Sequence, residues 1–291
     1  MIKIGFIGAG TVGTALAQLL SKKGYTVVAV SSRSQNSAKK LVDAVGGCRI
    51  TDNQGVADTA ELVFITTPDD AIASVASQVK WHPGQSVVHC SGAASTDILE
   101  PARKSGARVG AFHPLQAFAS VEQAVENIPG TTFAVEAEEP LLSTLKDMAT
   151  ALCGDWIELK ASDKVIYHAA AVIASNYLVT LVKLATDLWQ TFSAPQDKAI
   201  QALLPLLRGT LTNIDTVGIP ECLTGPIARG DTGTIKQHLD ALSKVAPNLV
   251  STYKELGRQT IPIAIARGKI NENQVQELRT IFKENSDENN A

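Results

Sequence analysis

Two short polar runs stand where chemistry could be done. HCSGAAS, residues 89–95, and GAFHPLQAF, residues 110–118, each follow or continue an apolar β-rich run and bring Ser91 and His113 forward as candidates. An imidazole with a pKa near working pH can pass a proton to or from a carbonyl or hydroxyl oxygen, and a serine hydroxyl can orient that oxygen. His113 can instead brace the turn ahead of Pro114, while His89, inside its apolar run, reads as a buried structural imidazole. A third histidine, His168, lies in a stretch where helical spacing puts Lys164, His168, Val172, Ser175 and Val179 on one stripe, with Asn176 beside it. Such polar groups either face a cleft, with Asn176 orienting a reacting group and Ser175 touching substrate, or satisfy one another in a core. In LTGPIARGDTGTI, Arg229 could grip a carboxylate or cap a helix end.

A hydride carrier is suggested by the first dozen residues. IGFIGAGTVGTAL sets Gly8, Gly10 and Gly13 in GxGxxG spacing between a hydrophobic run and an Ala/Leu-rich helical run. That context lets Gly8 make a tight turn, Gly10 admit a pyrophosphate and Gly13 pack the helix on the strand. Ala9, Thr11 and Val12 complete the turn, and the helix N-terminus offers backbone N–H groups to the phosphates. Where an NAD site would place a carboxylate after the second strand, the sequence reads Ser31, Ser32, Arg33, Ser34, which suits a 2′-phosphate and favours NADP. The fourth apolar run ends in Thr66, Thr67 and Pro68, a cofactor wall, and Asp69 and Asp70 read as caps of the next helix.

The elements that must position these groups follow from periodicity. Eight short β-rich runs, KIGFIG, YTVVAVS, CRIT, ELVFITT, SVVHCS, RVGAFH, TFAVE and DWIEL, alternate with helical stretches such as TALAQLLSKKG and STDILEPARKSG that close on a glycine. Residues 1–160 therefore read as an α/β domain with a doubly wound parallel sheet of Rossmann type, and residues 161–291 as an all-helical substrate and dimerisation domain. Ser162 is expected to cap a long buried helix, and the polar tail after Phe282 to fray.

Composition narrows the partners. With 291 residues, 45% hydrophobic, and a net charge of −3, the chain can bury a core but offers no basic footprint for nucleic acid. Cys48, Cys90, Cys153 and Cys222 form no CxxC pair and read as reduced core thiols, with no metal site. No basic segment precedes the first strand, and His168, Asn176 and Lys183 interrupt the longest apolar stretch, so the expectation is a cytoplasmic protein without a membrane span.

GAGTVG, TTPDDAI, HCSGA, GAFHPLQAF, YHAAAVIASNYLVTL and LTGPIARGD together resemble the Rossmann-like proteins whose C-terminal domain is the domain of unknown function DUF2520. These are similar in layout to pyrroline-5-carboxylate reductase, ketopantoate reductase, prephenate dehydrogenase and 6-phosphogluconate dehydrogenase. The resemblance implies a homodimer and gives Ser91 and His113 the places of the serine and histidine that prephenate dehydrogenases set around the substrate hydroxyl. Ketopantoate reductases carry a catalytic lysine on the first long helix of the second domain, followed by an asparagine; here His168 stands roughly in the lysine's place, with Asn176 two turns on. The reading is hydride transfer between NADPH and a small carboxylate-bearing carbonyl or imine, with His113 or His168 as acid/base, Ser91 and Asn176 orienting, and Arg229 and Ser175 binding substrate. The alternatives are a non-catalytic NADP sensor or partner-binding module, and a prephenate-type dehydrogenase.

Overall fold

A computed structural model describes residues 2–283; the tail expected to fray falls almost wholly outside them. The chain divides into two compact units, Met1–Asn176 and Tyr177–Ala291.

The first unit is built on strands β1 (Lys3–Ile7), β2 (Thr26–Ser31), β3 (Arg49–Ile50), β4 (Leu62–Ile65), β5 (Ser86–His89), β6 (Arg108–Pro114), β7 (Thr132–Ala137) and β8 (Asp155–Glu158), one for each β-rich run of the sequence. They form one sheet in the order β3-β2-β1-β4-β5-β6-β7-β8, parallel except where β6 meets β7. The order reverses direction between β1 and β4, and such a switch point opens a crevice at the carboxyl ends of the strands. The helices are α1 (Thr11–Lys22), α2 (Gln35–Val45), α3 (Asn53–Ala57), α4 (Asp69–Gln78), α5 (Glu100–Lys104), α6 (Val121–Asn127), α7 (Leu141–Ala151) and α8 (Lys164–Ala174).

Both faces of the sheet are covered, which is why its central strands are continuously apolar. On one face Phe6 stacks on Phe64 at 5.3 Å and Phe112 on Phe133 at 4.4 Å, beneath Leu16 and Leu20 of α1 and Leu145 and Met148 of α7. On the other, Ile7, Val63, Ile65 and Val87 pack on Ile72 and Ala76 of α4 and Ala102 of α5. Each such buried side chain contributes roughly 1.5–3 kcal/mol, so the strand ends that carry the polar runs are held by a rigid layer.

The second unit contains nearly all of α9 (Asn176–Gln190), then α10 (Gln196–Val217), α11 (Gly225–Arg229), α12 (Thr232–Val245), α13 (Val250–Ala266) and α14 (Glu272–Ile281). Ile235, Ile261, Leu278 and Phe282 form its core.

Several expectations need correction. Ser162 does not cap the long helix: a single 3-10 turn, Ala161–Asp163, precedes α8, and Ser162 Oγ donates to Asp163 Oδ1 at 2.9 Å. The long helix is not buried. Its regular geometry breaks at Ser175, and Val165, Ile166, Ile173 and Val179 are between 63% and 74% exposed. By length and composition alone, Ala161–Gln190 is apolar enough to cross a membrane, and no residue of its most apolar window is buried. A helix apolar around most of its circumference can keep only one side on its own unit, and the remainder faces outward. Of the thiols expected in the core, Cys48 is buried, Cys90 and Cys222 are half-buried, and Cys153 is exposed.

Candidate active site

The glycine turn is built as its spacing requires. Gly8 has φ +115° and its N–H donates to Ser31 O at 2.8 Å, while Thr66 Oγ1 donates to Gly8 O at 2.8 Å. A side chain at Gly8 would strike the Thr66 backbone at 2.6 Å. Gly10 differs: its φ of −77° is ordinary, and a Cβ there would meet nothing within 4 Å. No described residue requires a glycine at position 10, so the open space above it is the kind a pyrophosphate fills. A cavity of about 1090 Å³ runs from Gly8, Ala9 and Gly10 past Ser31, Ser32, Arg33 and Ser34 to Thr66, Thr67 and Pro68. Thr11 opens α1, followed by Val12 and Gly13, at the N-terminal end that would face the phosphates.

The SSRS run divides its work. Ser31 is buried and donates to Asn53 Oδ1 at 2.6 Å, and Ser34 caps α2, accepting from Ser37 N–H at 3.2 Å. Ser32 accepts from Ser34 N–H at 3.3 Å, and Arg33 is exposed at the cavity wall. Arg33, Ser32 and the α2 N-terminus are the groups at this wall that could hold an anion, and no carboxylate stands at the end of β2. Thr67 Oγ1 is buried with no partner among the described residues. The residues present fit a phosphorylated dinucleotide.

Next along the carboxyl edge, Asp69 and Asp70 do not cap α4; Pro68 occupies the cap position, and both acids sit in the first turn. There Asp69 Oδ2 accepts from Ser91 Oγ at 2.6 Å, and Ser91 Oγ accepts from Ala94 N–H at 3.1 Å. Ser91 has therefore committed its proton to Asp69, and keeps one lone pair for an incoming donor. This bond ties the HCSGA turn to the far end of the cofactor wall.

His89 and His113 separate cleanly. His89 is fully buried; its Nδ1 accepts from Ser91 N–H at 3.1 Å, so Nε2 carries the proton toward Ser95 O at 3.2 Å. Both nitrogens are spent on backbone, the structural role expected of it. His113 Nδ1 lies 2.9 Å from Tyr167 Oη, and the rings meet edge to face at 5.7 Å. Gly92 lets the site close: a Cβ there would stand 2.9 Å from His113 Nε2 and 2.7 Å from His168 Cδ2. The two imidazole centroids are 6.3 Å apart.

At the centre of this edge is a residue that the sequence reading placed on the His168 stripe without giving it a role. Lys164, 1% exposed, donates from Nζ to Ser91 O at 3.1 Å. Desolvation lowers its pKa, opposed by the carboxylate of Glu136, whose Oε1 accepts from Thr96 N–H and Oγ1 and whose Oε2 is buried without a partner among the described residues. Burial, then the Lys164 charge, pushes both His89 and His113 down to about 4; His168 adds to the effect on His113. Burial raises Tyr167 to about 12. At neutral pH His89 and His113 are therefore neutral imidazoles and Tyr167 a neutral phenol.

The structure thus brings together Ser91, His113 and His168, the last on the same α8 stripe as Lys164. Ser175 and Asn176 are exposed at the α8–α9 break, and Arg229 is exposed at the end of α11 in the second unit. Tyr167, Asp69, Lys164 and Glu136 were missed as site residues. The signal for Lys164 was in the sequence, a lysine one turn before His168 on an apolar helix; Glu136 gave none, because a single acid closing a short β-rich run looks like any solvated strand end.

Comparison with known proteins agrees with this architecture. A pyrroline-5-carboxylate reductase of Corynebacterium melassecola is 24% identical over 225 residues, 75% of this chain and 82% of that protein. A Bacteroides fragilis protein provisionally assigned as an NADP oxidoreductase is 27% identical, with a TM-score of 0.73 over 90% of this chain and 98% of that one. The reductive aminase of Aspergillus terreus, solved with NADPH and ethyl levulinate, shares the fold at 16% identity, with a TM-score of 0.65 over 96% of this chain and 99% of that one. Residues 1–114 match the Rossmann-like domain and residues 131–260 match the domain of unknown function DUF2520, so the chain carries a Rossmann-like domain followed by a DUF2520 domain.

Proposed function

We propose that this protein is an NADP-dependent oxidoreductase acting on a small carboxylate-bearing carbonyl or imine. The observation that carries the reading is the Ser91–Asp69 bond, which joins a glycine-turn cavity of dinucleotide size to a polar edge holding His113 and His168. The resemblance to pyrroline-5-carboxylate reductase and the reductive aminase supports it.

In this mechanism the α1 N-terminus holds the pyrophosphate and Arg33 with Ser32 holds the 2′-phosphate. NADPH, when bound, supplies the hydride. His113 stays neutral and offers Nε2 to the oxygen or nitrogen of the double bond, as a hydrogen-bond donor rather than a preformed imidazolium acid. Lys164 is a positioning residue: it holds the Ser91 carbonyl, and its charge suppresses protonation of His113. Asn176 orients the reacting group and Ser175 contacts substrate. The exposed apolar residues of α9 and α10 are the face of a homodimer, which light scattering would detect as twice the chain mass.

The test is a titration with NADPH and NADH, followed by a screen of oxo acids and cyclic imines for loss of nicotinamide absorbance. Preferential NADPH binding with turnover is expected. Binding without turnover across the panel would favour a sensor, and no binding would overturn the proposal.

A further inference from the structure

Three histidines lie along this edge, but only one is wired to a second exchangeable proton. His89 spends both nitrogens on backbone groups that cannot give up a proton at neutral pH. His168 contributes a ring contact to His113. His113 alone connects a titratable side chain at one nitrogen, Tyr167 Oη on Nδ1, to an opposite nitrogen that lies against Gly92, where no described residue takes it up. The two partners come from regular elements, the end of β6 and the first turn of α8, and the rings meet edge to face at 89° with Tyr167 Oη 2.9 Å from Nδ1.

We propose that Tyr167 and His113 form a two-proton relay, in which Tyr167 fixes the Nε2–H tautomer of His113 and replaces the proton that His113 delivers to substrate. The inference rests on the reductase reading above and names the proton source for it.

The step balances. As a hydride adds to the carbon of C=O or C=N, the π electrons move to the heteroatom, which takes the Nε2 proton of His113. The imidazole lone pair at Nδ1 accepts the Tyr167 Oη proton in the same motion, so the ring stays neutral and changes tautomer. Tyr167 is left as phenolate; once product leaves, Nε2 takes up a proton from solvent and Nδ1 returns its proton to Tyr167, which restores the starting tautomer. The substrate gains one hydride and one proton. A neutral relay suits this site because burial and Lys164 disfavour an imidazolium. The alkoxide or amide anion that hydride addition would otherwise leave is a stronger base than a phenolate, so the proton moves toward substrate.

The first test needs no substrate. In protein labelled with 15N-histidine, the His113 nitrogen shifts are expected to report Nε2–H with a hydrogen-bonded Nδ1 acceptor. In Tyr167→Phe that tautomer preference should relax while NADPH affinity stays within twofold. An Nδ1–H tautomer in the unaltered protein would overturn the relay, as would Tyr167→Phe leaving the His113 shifts unchanged. With a turned-over substrate, Tyr167→Phe should lose about 100-fold in kcat. The bowed dependence of rate on D2O fraction, which marks two protons in flight, should become linear; a linear dependence in the unaltered enzyme would also overturn it. Failure to bind NADPH would sink the reductase reading and leave the tautomer result standing, so the two failures are distinguishable. The unaltered protein decides the tautomer even if Tyr167→Phe does not fold.

Discussion

Replacing Gly8 and Gly10 in turn by alanine separates what the glycine turn does for the fold from what it does for a ligand. At Gly8 the φ of +115° is one an alanine adopts only under strain of roughly 1–3 kcal/mol. The new methyl would also sit 2.6 Å from the Thr66 backbone, which cannot swing aside, adding about 1–3 kcal/mol of overpacking. At roughly 2–4 °C per kcal/mol for a domain of this size, Gly8→Ala should lower Tm by about 5–20 °C. At Gly10 the backbone, φ −77° and ψ −172°, accepts alanine, and the methyl meets nothing within 4 Å. Its Tm should stay within about 2 °C of the unaltered protein, or rise slightly from the stiffer unfolded chain. The same methyl would fill the space a pyrophosphate needs and forfeit a charge-assisted hydrogen bond worth about 1.5–3 kcal/mol, weakening NADPH binding by about 10- to 150-fold. The assay is a thermal melt of each variant with an NADPH fluorescence titration. A Gly10→Ala protein that binds NADPH normally would refute the placement of the phosphates, and one that unfolds would refute the reading of position 10 as open.

Other expectations follow from the same geometry. Arg33→Ala should weaken NADPH binding by about 10- to 100-fold and leave NADH nearly unaffected, as two parallel titrations would show. His89, held near 4 when folded against an ordinary 6.5, binds a proton more readily in the unfolded chain; its contribution is complete above pH 6.5 and is lost as pH falls toward 4. That loss is on the order of 3 kcal/mol, so Tm should drop from pH 7 to pH 5, and the drop should shrink in His89→Gln. Lys164→Met removes the charge that depresses His113, and an NMR titration should find the His113 pKa raised toward its ordinary value with the fold retained; an unmoved pKa would show that burial alone sets it.

The sequence by itself determined the sheet and the cofactor turn. Period-two and continuous apolar runs can be satisfied only as strands covered on both faces, and GxGxxG between a strand and a helix is a local signal, complete within a few residues. Ser91 and His113 were legible for the same reason, since polar groups ending parallel strands must emerge at one edge. What periodicity could not decide was which partner each polar group meets. Ser91 and Asp69 are 22 residues apart, His113 and Tyr167 54, and Lys164 and the Ser91 carbonyl 73; only the packing of β4, β5, β6 and α8 brings them together. The same limit misread the long apolar helix as buried and Asp69 as a cap. Helical spacing fixes which residues share a face, whereas whether that face meets a core, a second chain or water, and whether Lys164 ends beneath a carbonyl or in solvent, is set by tertiary contacts.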